Sequence, residues 1–172
     1  MPLIKSVRGY NPVIPESCYI ADNATVVGEV IMGENCTIWF NAVVRGDVHR
    51  ITIGDNTNIQ DGAIIHCTYQ KAATTIGKNV SIAHNAIVHG CTVEDNVLIG
   101  MGAIVMDDAV IKSNSVIAAG AVVLAGTVVE EGSIYAGMPA KKVKDIGDNM
   151  REVISRTARN YPMYAEWFKV EK

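Results

Sequence analysis

The 172-residue sequence predicts an all-β solenoid, a parallel β-helix assembled from six-residue repeats. An aliphatic residue leads nearly every block of six, and the fifth position is mostly small or β-branched. Two inward positions per block give one short strand and one bend, so three blocks close a coil of roughly 18 residues. The predicted leaders are Ile14, Ile20, Val26, Met32, Ile38, Val44, Ile53, Ile59, Ile65, Ile76, Ile82, Val88, Val93, Ile99, Val105, Ile111, Ile117, Val123 and Val129.

The period departs from six at three places. Three residues are inserted near 48–51, five are inserted within 67–75, and one is lost near Cys91. A β-sandwich would need hairpin turns every 8–12 residues or so and strict alternation, and the sequence has neither. The fifth positions are therefore also expected in the core, among them Cys18, Ala24, Val30, Cys36, Ala42, Val48, Thr57, Ala63, Val80 and Ala86.

A helical extension follows the repeat. From Asp148 onward, apolar residues recur at the i, i+3, i+4 spacing of an amphipathic helix, which Pro162 is expected to break or kink. The sequence thus predicts a β-helix domain over residues 1–140 and a helical extension of the same domain over 141–172. Such a helix would pack along one side of the coil, whose flanks need cover.

Composition and charge argue against several classes of protein. A formal net charge of −3 and a pI of about 5.8 disfavour partners such as nucleic acid or an anionic membrane. No apolar run is long enough to span a bilayer, and the first residues show no signal-peptide pattern. The four cysteines form no C-x-x-C pair, so reduced thiols in a cytoplasmic setting are expected.

Three of the four histidines, His66, His84 and His89, lie inside the repeat. His66 and His89 each stand second in a block, and the leaders of those blocks are 23 residues apart. Subtraction of the five-residue insertion leaves 18, which is one coil, so the two side chains should stack in one outward column about 4.8 Å apart. Neutral imidazole is a common zinc ligand, so this pair indicates a metal site.

His84 stands third in its block, around a bend from His89. We expect that His84 does not reach the pair of its own chain, and that a symmetric oligomer would present it from a neighbouring copy. Asp61, beside Gln60, also stands third in its block and should lie one coil from His84. Arg45 should continue the column of the pair one coil earlier.

Two other side chains have simpler interpretations. His49 has no partner in the repeat and is expected to be a surface residue. Cys67 follows His66 and carries a possible metal ligand, yet a small buried thiol is the more common role of a free cysteine. Any one of the histidines, taken singly, is also compatible with a surface role; the stacked pair with a third histidine on a flanking face favours a metal site.

Six segments of the sequence form a combined motif: 41–47 (NAVVRGD), 58–61 (NIQD), 64–66 (IIH), 84–91 (HNAIVHGC), 98–103 (LIGMGA) and 136–140 (AGMPA). At these segments the chain resembles the γ-class carbonic anhydrase-like proteins, and the resemblance covers essentially its whole length. It implies a left-handed coil and a homotrimer with metal sites between subunits. His66 and His89 would come from one chain and His84 from the next, around zinc, with iron or cobalt as the alternatives.

The resemblance also implies an activity and further site residues. The reaction would be the reversible hydration of CO₂ to bicarbonate, with metal-bound hydroxide as the nucleophile. Arg45 and Asp47 would form an ion pair at the interface. Gln60 would hydrogen-bond the metal-bound water or bicarbonate with support from Asp61, and Tyr164 is a looser candidate for the pocket wall.

The sequence departs from this family at the groups that would carry protons. The best-known active members have glutamates after the aspartate that corresponds to Asp47 and in the loop after the first histidine. Here Val48 and the loop 67–73 stand at those places, and no carboxylate occurs between Asp61 and Glu94. Proton transfer would have to use water, Tyr69 or another group.

Two alternatives remain open beside a carbonic anhydrase. Hexapeptide-repeat acyltransferases share the coil and use one catalytic histidine with a coenzyme A thioester. A metal-binding scaffold with weak or no carbonic anhydrase activity would fit the missing glutamates. Metal content distinguishes an acyltransferase from a carbonic anhydrase. A CO₂ hydration assay distinguishes a carbonic anhydrase from a metal-binding scaffold.

Overall fold

The computed structural model describes residues 1–170, which form nineteen strands and one helix. Most strands are only two or three residues long because a bend follows every short strand of the repeat. The strands are β1 (Leu3–Lys5), β2 (Tyr19–Ile20), β3 (Thr25–Met32), β4 (Thr37–Ile38), β5 (Val43–Ile53), β6 (Asn58–Ile59), β7 (Ile64–His66), β8 (Thr74–Ile76), β9 (Ser81–Ile82), β10 (Ile87–His89), β11 (Thr92–Val93), β12 (Leu98–Ile99), β13 (Ile104–Val105), β14 (Val110–Ile111), β15 (Val116–Ile117), β16 (Val122–Val123), β17 (Val128–Val129), β18 (Ser133–Ala136) and β19 (Lys141–Asp145), and the helix is α1 (Asp148–Val170).

The chain is a left-handed parallel β-helix of about seven turns, as the sequence and its family resemblance predict. One sheet of eight strands, β2-β4-β6-β9-β12-β15-β18-β19, forms the first face of the coil. The other sheet, of eleven strands, covers two faces, because the first half of β5 pairs with β7 and its second half pairs with β8. The strands β7-β10-β13-β16 thus form the second face, and β8-β11-β14-β17 form the third.

The predicted leaders fill the core. All of them from Val26 to Val129 are buried, whereas Ile14 and Ile20 in the first coil are partly buried. The fifth positions are buried as well, except for the partly buried Cys18 and Val48. The six-residue pattern therefore predicts both inward positions correctly, and only the open end of the coil and the first insertion depart from it.

Asparagine makes many of the bends. Seven asparagines adopt a positive φ, a conformation that asparagine tolerates better than most residues because its short side chain hydrogen-bonds locally. At one corner these side chains also join successive coils: Asn56 Nδ2 donates to Asn79 Oδ1, and Asn79 Nδ2 donates to Asn96 Oδ1. The asparagines with positive φ are Asn35, Asn41, Asn56, Asn79, Asn85, Asn96 and Asn114.

Helix α1 packs along the first face, as predicted, and contacts β4 and β9. Of the break or kink expected at Pro162, the break is wrong, because α1 continues through this residue to Val170. Aromatic contacts on both sides of the proline hold the helix to the coil: the Trp39 ring lies 5.4 Å from Tyr161 and 5.5 Å from Phe168. Packing of Tyr161 and Phe168 on the buried Trp39 ring offsets the hydrogen bond that proline cannot donate. Within residues 1–170, no helix is both long and apolar enough to cross a membrane.

The extension over 141–172 begins with a strand rather than a helix. Residues Lys141–Asp145 pair antiparallel with Ser133–Ala136 at the end of the first sheet. This strand covers an edge that would otherwise present unpaired backbone groups. The helix begins at Asp148, as the sequence predicts, and residues 171 and 172 of the predicted extension lie outside the described residues.

Candidate metal centre

His66 and His89 lie side by side on the second face of the coil. The parallel pairing of β7 and β10 puts them in register, which confirms the predicted column. His66 Nδ1 lies 3.1 Å from His89 Nε2, and the two ring centres are 5.1 Å apart. Both imidazoles are part-buried, at 16 % and 33 % exposure of the side chain. The register of the two strands therefore brings one nitrogen of each imidazole close enough together for both to bind the same metal ion.

A carboxylate holds the outer nitrogen of each ring. His66 Nε2 donates to Asp47 Oδ1 at 3.0 Å, and His89 Nδ1 donates to Asp107 Oδ1 at 2.6 Å. Burial opposes the charge on Asp47, but hydrogen bonds from His66 and Arg45 lower the pKa of its carboxyl below the usual value. Burial opposes the charge on Asp107 as well, and hydrogen bonds from Thr68 and His89 lower its pKa in the same way. Both acids are ionised at neutral pH and can only accept, so the outer ring nitrogens carry the protons.

Because the protons are on the outer nitrogens, each inner nitrogen of a neutral pair keeps a lone pair. The two lone pairs face each other. His66 is held in the neutral form chiefly by burial, which lowers the pKa of its imidazole. A cation between His66 Nδ1 and His89 Nε2 would satisfy both lone pairs. Two imidazoles on one tetrahedral zinc ion have their nitrogens about 3.3 Å apart, given Zn–N distances of about 2.0–2.1 Å, and the observed separation is close to this. The donor set therefore fits a divalent metal.

The first insertion places Asp47 beside His66. At this insertion the pairing of β3 with β5 shifts between Gly28 and Val30, and β5 bends. A Cβ atom on Gly28, whose φ is +77°, would lie 2.3 Å from the carbonyl oxygen of Gly46, so only glycine permits this close approach. Asp47 follows the bend directly and accepts from Arg45 at 2.6 Å, which gives the predicted ion pair.

His84 lies at the corner after the first face, and Asp61 is its partner. His84 Nδ1 lies 2.8 Å from Asp61 Oδ2, and the two side chains are 39 % and 42 % exposed. Like His66 and His89, His84 thus has one ring nitrogen on a carboxylate, and among residues 1–170 no hydrogen bond engages its other nitrogen. Among residues 1–170, no three His, Cys, Asp or Glu side chains are arranged to hold one metal ion. A single chain therefore brings together two of the three predicted ligands.

Gln60 is buried at the same corner. Its Nε2 donates to Asn58 Oδ1 at 3.0 Å, and Asn58 Nδ2 donates in turn to Ser81 Oγ at 2.8 Å. The row of buried side chains fixes the orientation of the Gln60 amide, next to Asp61 in the sequence. Gln60 is thus held rigidly beside the residue that binds His84.

Tyr161 of α1 also lies near this corner, and no sequence pattern marks it as a site residue. Burial and the nearby Asp61 carboxylate raise the pKa of Tyr161 to about 12. Tyr164 packs on Tyr161 with ring centres 5.5 Å apart, and its hydroxyl accepts from Asn160 Nδ2. Helix α1 therefore carries Tyr161 close enough to feel the Asp61 charge, and Tyr164 packs on Tyr161.

Val48 and Gln70, which stand at places where the resemblance implies glutamates, border one cavity. Val48 is partly buried, and together with His49, Arg8 and Gln70 it borders a cavity of about 180 Å³ that also reaches Asp47. The guanidinium of Arg8 lies 5.6 Å above the Tyr69 ring. His49, expected as a surface residue, thus lines a cavity close to the carboxylate that holds His66.

All four cysteines are free thiols. Cys67 is buried, and its thiol donates to the carbonyl oxygen of Arg50. Cys36 is buried above Cys18, and the in-register pairing of the residues that follow them, Tyr19 with Thr37, stacks the two as predicted. Cys67 thus takes the role of a small core residue, one of its two interpretations.

Comparison with known proteins agrees with the fold. The family described as "Bacterial transferase hexapeptide (six repeats)" matches residues 11–46 and 90–125. A solved structure of a hexapeptide transferase family protein from Anaplasma phagocytophilum superposes with a TM-score of 0.93, at 37 % identity over 96 % of this chain and 98 % of that chain. The fold and the histidine pair thus define a hexapeptide-repeat β-helix protein with a candidate metal centre.

Curated relatives identify the branch of this class. A carbonic anhydrase from Geobacillus kaustophilus is 42 % identical over 97 % of this chain and 91 % of its own length. Gamma carbonic anhydrase 2 of Arabidopsis thaliana mitochondria is 37 % identical over 92 % of this chain, which spans only 59 % of that longer protein. The chain belongs to the γ-class carbonic anhydrase-like family of hexapeptide-repeat proteins.

Proposed function

We propose that this protein is a metal-dependent carbonic anhydrase that converts CO₂ and water to bicarbonate and a proton. The observation that carries the proposal is the arrangement of His66 and His89, whose inner nitrogens lie 3.1 Å apart while carboxylates hold the outer ones. That pattern of imidazole and carboxylate is typical of catalytic metal sites. The named relatives in this family support the same reaction.

The third ligand in this proposal is the partner subunit's His84. His84 is 39 % exposed, its Nδ1 is bound to Asp61, and its other nitrogen is free to bind a metal. The ligands come from different faces of the coil, so the contact between two copies joins unlike surfaces. Such contacts close into rings, and the proposed ring is the homotrimer of the family.

The second face offers an apolar surface for this contact. The outward positions of neighbouring strands pair in register along the coil and are at least partly exposed. The column of the histidines itself continues with the exposed Met106 and Leu124. A contiguous apolar surface of this kind favours a protein partner, here a second copy of the chain. The outward positions are Val43, Ile64, Ile87, Ile104 and Val122.

Zinc is the proposed metal, and iron and cobalt accept the same three imidazoles. When bound, the ion would lower the pKa of a water molecule to near neutral, so that hydroxide, the nucleophile that attacks CO₂, would be available at neutral pH. The residues of the chain hold that site. Asp47 and Asp107 keep the protons of His66 and His89 on the outer nitrogens, so the inner lone pairs face the metal.

Gln60 would hydrogen-bond the reacting water or bicarbonate, with support from Asp61. The Gln60 amide is fixed by Asn58, so it offers a rigid hydrogen-bonding group for water or bicarbonate beside the metal. Asp61 holds His84, and Arg45 holds Asp47 at 2.6 Å. In place of the family's glutamates, water in the cavity bordered by Asp47 and His49 would carry the proton away in this proposal.

The proposal is tested by metal analysis and a CO₂ hydration assay on the same purified protein. We expect about one metal ion per chain, since a trimer has three interfaces, and CO₂ hydration that chelation removes and zinc or cobalt restores. His66→Ala should abolish both, whereas the matched variant His49→Ala should keep the metal. A protein that binds metal but does not accelerate CO₂ hydration would be a scaffold, and a metal-free protein that transfers acyl groups from coenzyme A would be an acyltransferase; either result contradicts the proposal.

A further inference from the structure

Both carboxylate oxygens of Asp107 accept hydrogen bonds next to the candidate metal centre. Oδ1 accepts from His89 Nδ1 at 2.6 Å, and Oδ2 accepts from the hydroxyl of Thr68. The carboxylate is only 19 % exposed, so both bonds form in a site shielded from solvent. Asp107 is therefore anchored on one side and holds an imidazole on the other.

The five-residue insertion supplies the anchor. Within it, the amides of Lys71 and Ala72 donate to the Thr68 carbonyl oxygen, and the Thr68 amide donates to the Ala72 carbonyl oxygen, so the loop folds on itself. The Thr74 hydroxyl at its end donates to the carbonyl oxygen of His66 and accepts from the amide of Gly90. The insertion thus contacts the backbone around both histidines as well as the carboxylate that holds one of them.

Gly90 makes the approach of Asp107 possible. The position of Asp107 is one coil beyond Gly90, because Val88 pairs with Val105. A Cβ atom on Gly90, whose φ is +55°, would lie 2.5 Å from Asp107 Oδ1. The carboxylate therefore fills the space that a side chain at position 90 would take, and it reaches back to His89.

The neighbouring Asp108 shows what an ordinary turn aspartate does here. Its side chain is 57 % exposed, and its nearest cation is Lys71 at 3.9 Å. Among residues 1–170, no hydrogen bond or ion pair joins Asp108 to either histidine of the pair. The two adjacent aspartates therefore differ in their contacts and exposure although they share one turn, and Asp108 is a matched control for Asp107.

We propose that Asp107 is a positioning residue for the metal ligand His89, and that Thr68, carried by the insertion, holds Asp107 in place. This proposal rests on the proposed function, because it assigns a role at the same metal site. The carboxylate keeps the proton of His89 on Nδ1 and the lone pair on Nε2, toward His66 and the metal. In this chain, the loop after the first histidine orients a ligand instead of supplying a carboxylate of its own.

The test uses the full-length protein and four variants: Asp107→Ala, Asp107→Asn, Thr68→Val and the control Asp108→Ala. Zinc affinity is measured by competition with a chromophoric chelator. Loss of a carboxylate behind a metal-bound histidine typically weakens metal binding by about 10–100-fold, and we expect a loss in that range for Asp107→Ala. Asp107→Asn, which keeps an acceptor oxygen, and Thr68→Val should lose less, and Asp108→Ala should bind zinc as the wild type does.

A second readout needs neither metal nor activity. The ¹⁵N chemical shifts of the His89 ring in metal-free protein report which nitrogen carries the proton. We expect the Nδ1–H form in the wild type and in Asp108→Ala, and a mixture of forms in Asp107→Ala. An unchanged His89 tautomer in Asp107→Ala would overturn the proposal, as would wild-type zinc affinity in that variant. If the wild type binds zinc without CO₂ hydration, only the proposed function fails, and if it binds no zinc the tautomer still decides the role of Asp107.

Discussion

His66 Nδ1 lies 3.1 Å from His89 Nε2, with one strand of the coil stacked directly on the next. The separation follows from parallel pairing in register, and the direction of the two rings follows from Asp47 and Asp107. The coil sets the distance between the two rings, and the carboxylates set which nitrogen of each ring faces the other. A metal site needs both, because imidazoles with the wrong nitrogen protonated cannot share an ion.

Removal of either stacked histidine should abolish stoichiometric metal binding. His66→Ala and His89→Ala each delete one of two inner nitrogens, and a zinc site with fewer imidazoles loses most of its affinity. Elemental analysis of the purified variants measures the effect, with His49→Ala as the control that keeps its metal. Full zinc occupancy in His66→Ala or His89→Ala would refute the assignment of the site.

Metal affinity should fall as the pH is lowered, since a protonated imidazole cannot bind a metal. Burial lowers the pKa of His66, so the folded chain favours its neutral form. The contribution of neutral His66 to the free energy of unfolding is therefore fully present above the ordinary histidine pKa. It is lost as the pH falls through the lowered pKa of the folded protein. Between about pH 7 and about pH 5, as the pH falls through the lowered pKa of His66, we expect the zinc affinity in chelator competition to drop at least tenfold. An affinity independent of pH in this range would speak against imidazole ligands.

A charge on the second face should prevent assembly. Ile64 points outward next to the histidine column and is 41 % exposed, so Ile64→Glu would bury a carboxylate in the proposed interface. We expect this variant to be monomeric in light scattering and to lose bound metal. Val128 is 57 % exposed on the third face, and Val128→Glu should remain a trimer. A trimeric, metal-loaded Ile64→Glu protein would show that this face is not the interface.

The four thiols should differ widely in reactivity. Interaction with the neighbouring Cys36 lowers the pKa of Cys18 to about 7, whereas burial raises the pKa of Cys91 to about 12. Because the thiolate is the nucleophile, iodoacetamide near neutral pH should alkylate the part-exposed Cys18 first. Peptide mass spectrometry measures the order, and Cys36→Ala should slow the reaction of Cys18. Equally fast alkylation of Cys91 in the folded protein would contradict the burial described here.

Much of this architecture is predictable because the repeat is rigid. Once the insertions are subtracted, an 18-residue coil fixes which residues share a column, and His66 falls beside His89. The same arithmetic puts Asp107 beside Gly90, and the glycine was the signal that a side chain of the next coil could reach back to His89. That contact was missed because it runs diagonally between columns.

The other differences arise where tertiary contacts outweigh local preference. Pro162 does not end α1, because Tyr161 and Phe168 pack against Trp39 on either side of it. The strand at Lys141–Asp145 has no pattern of its own and forms because an edge of the first sheet is available to pair with it. The placement of His84 relative to the pair of another chain depends on assembly, which no pattern within one chain encodes.

In the proposed trimer, each metal site takes two histidines from one chain and the third from a neighbour. The most direct measurement mixes His84→Ala chains with His89→Ala chains, refolds or exchanges them, and determines bound zinc. Neither variant alone should hold stoichiometric metal, but in equal mixtures about one site in four joins an intact His66–His89 pair to an intact His84 and should regain its ion. Mixed trimers that recover no zinc would contradict the claim, because then no site is shared between chains.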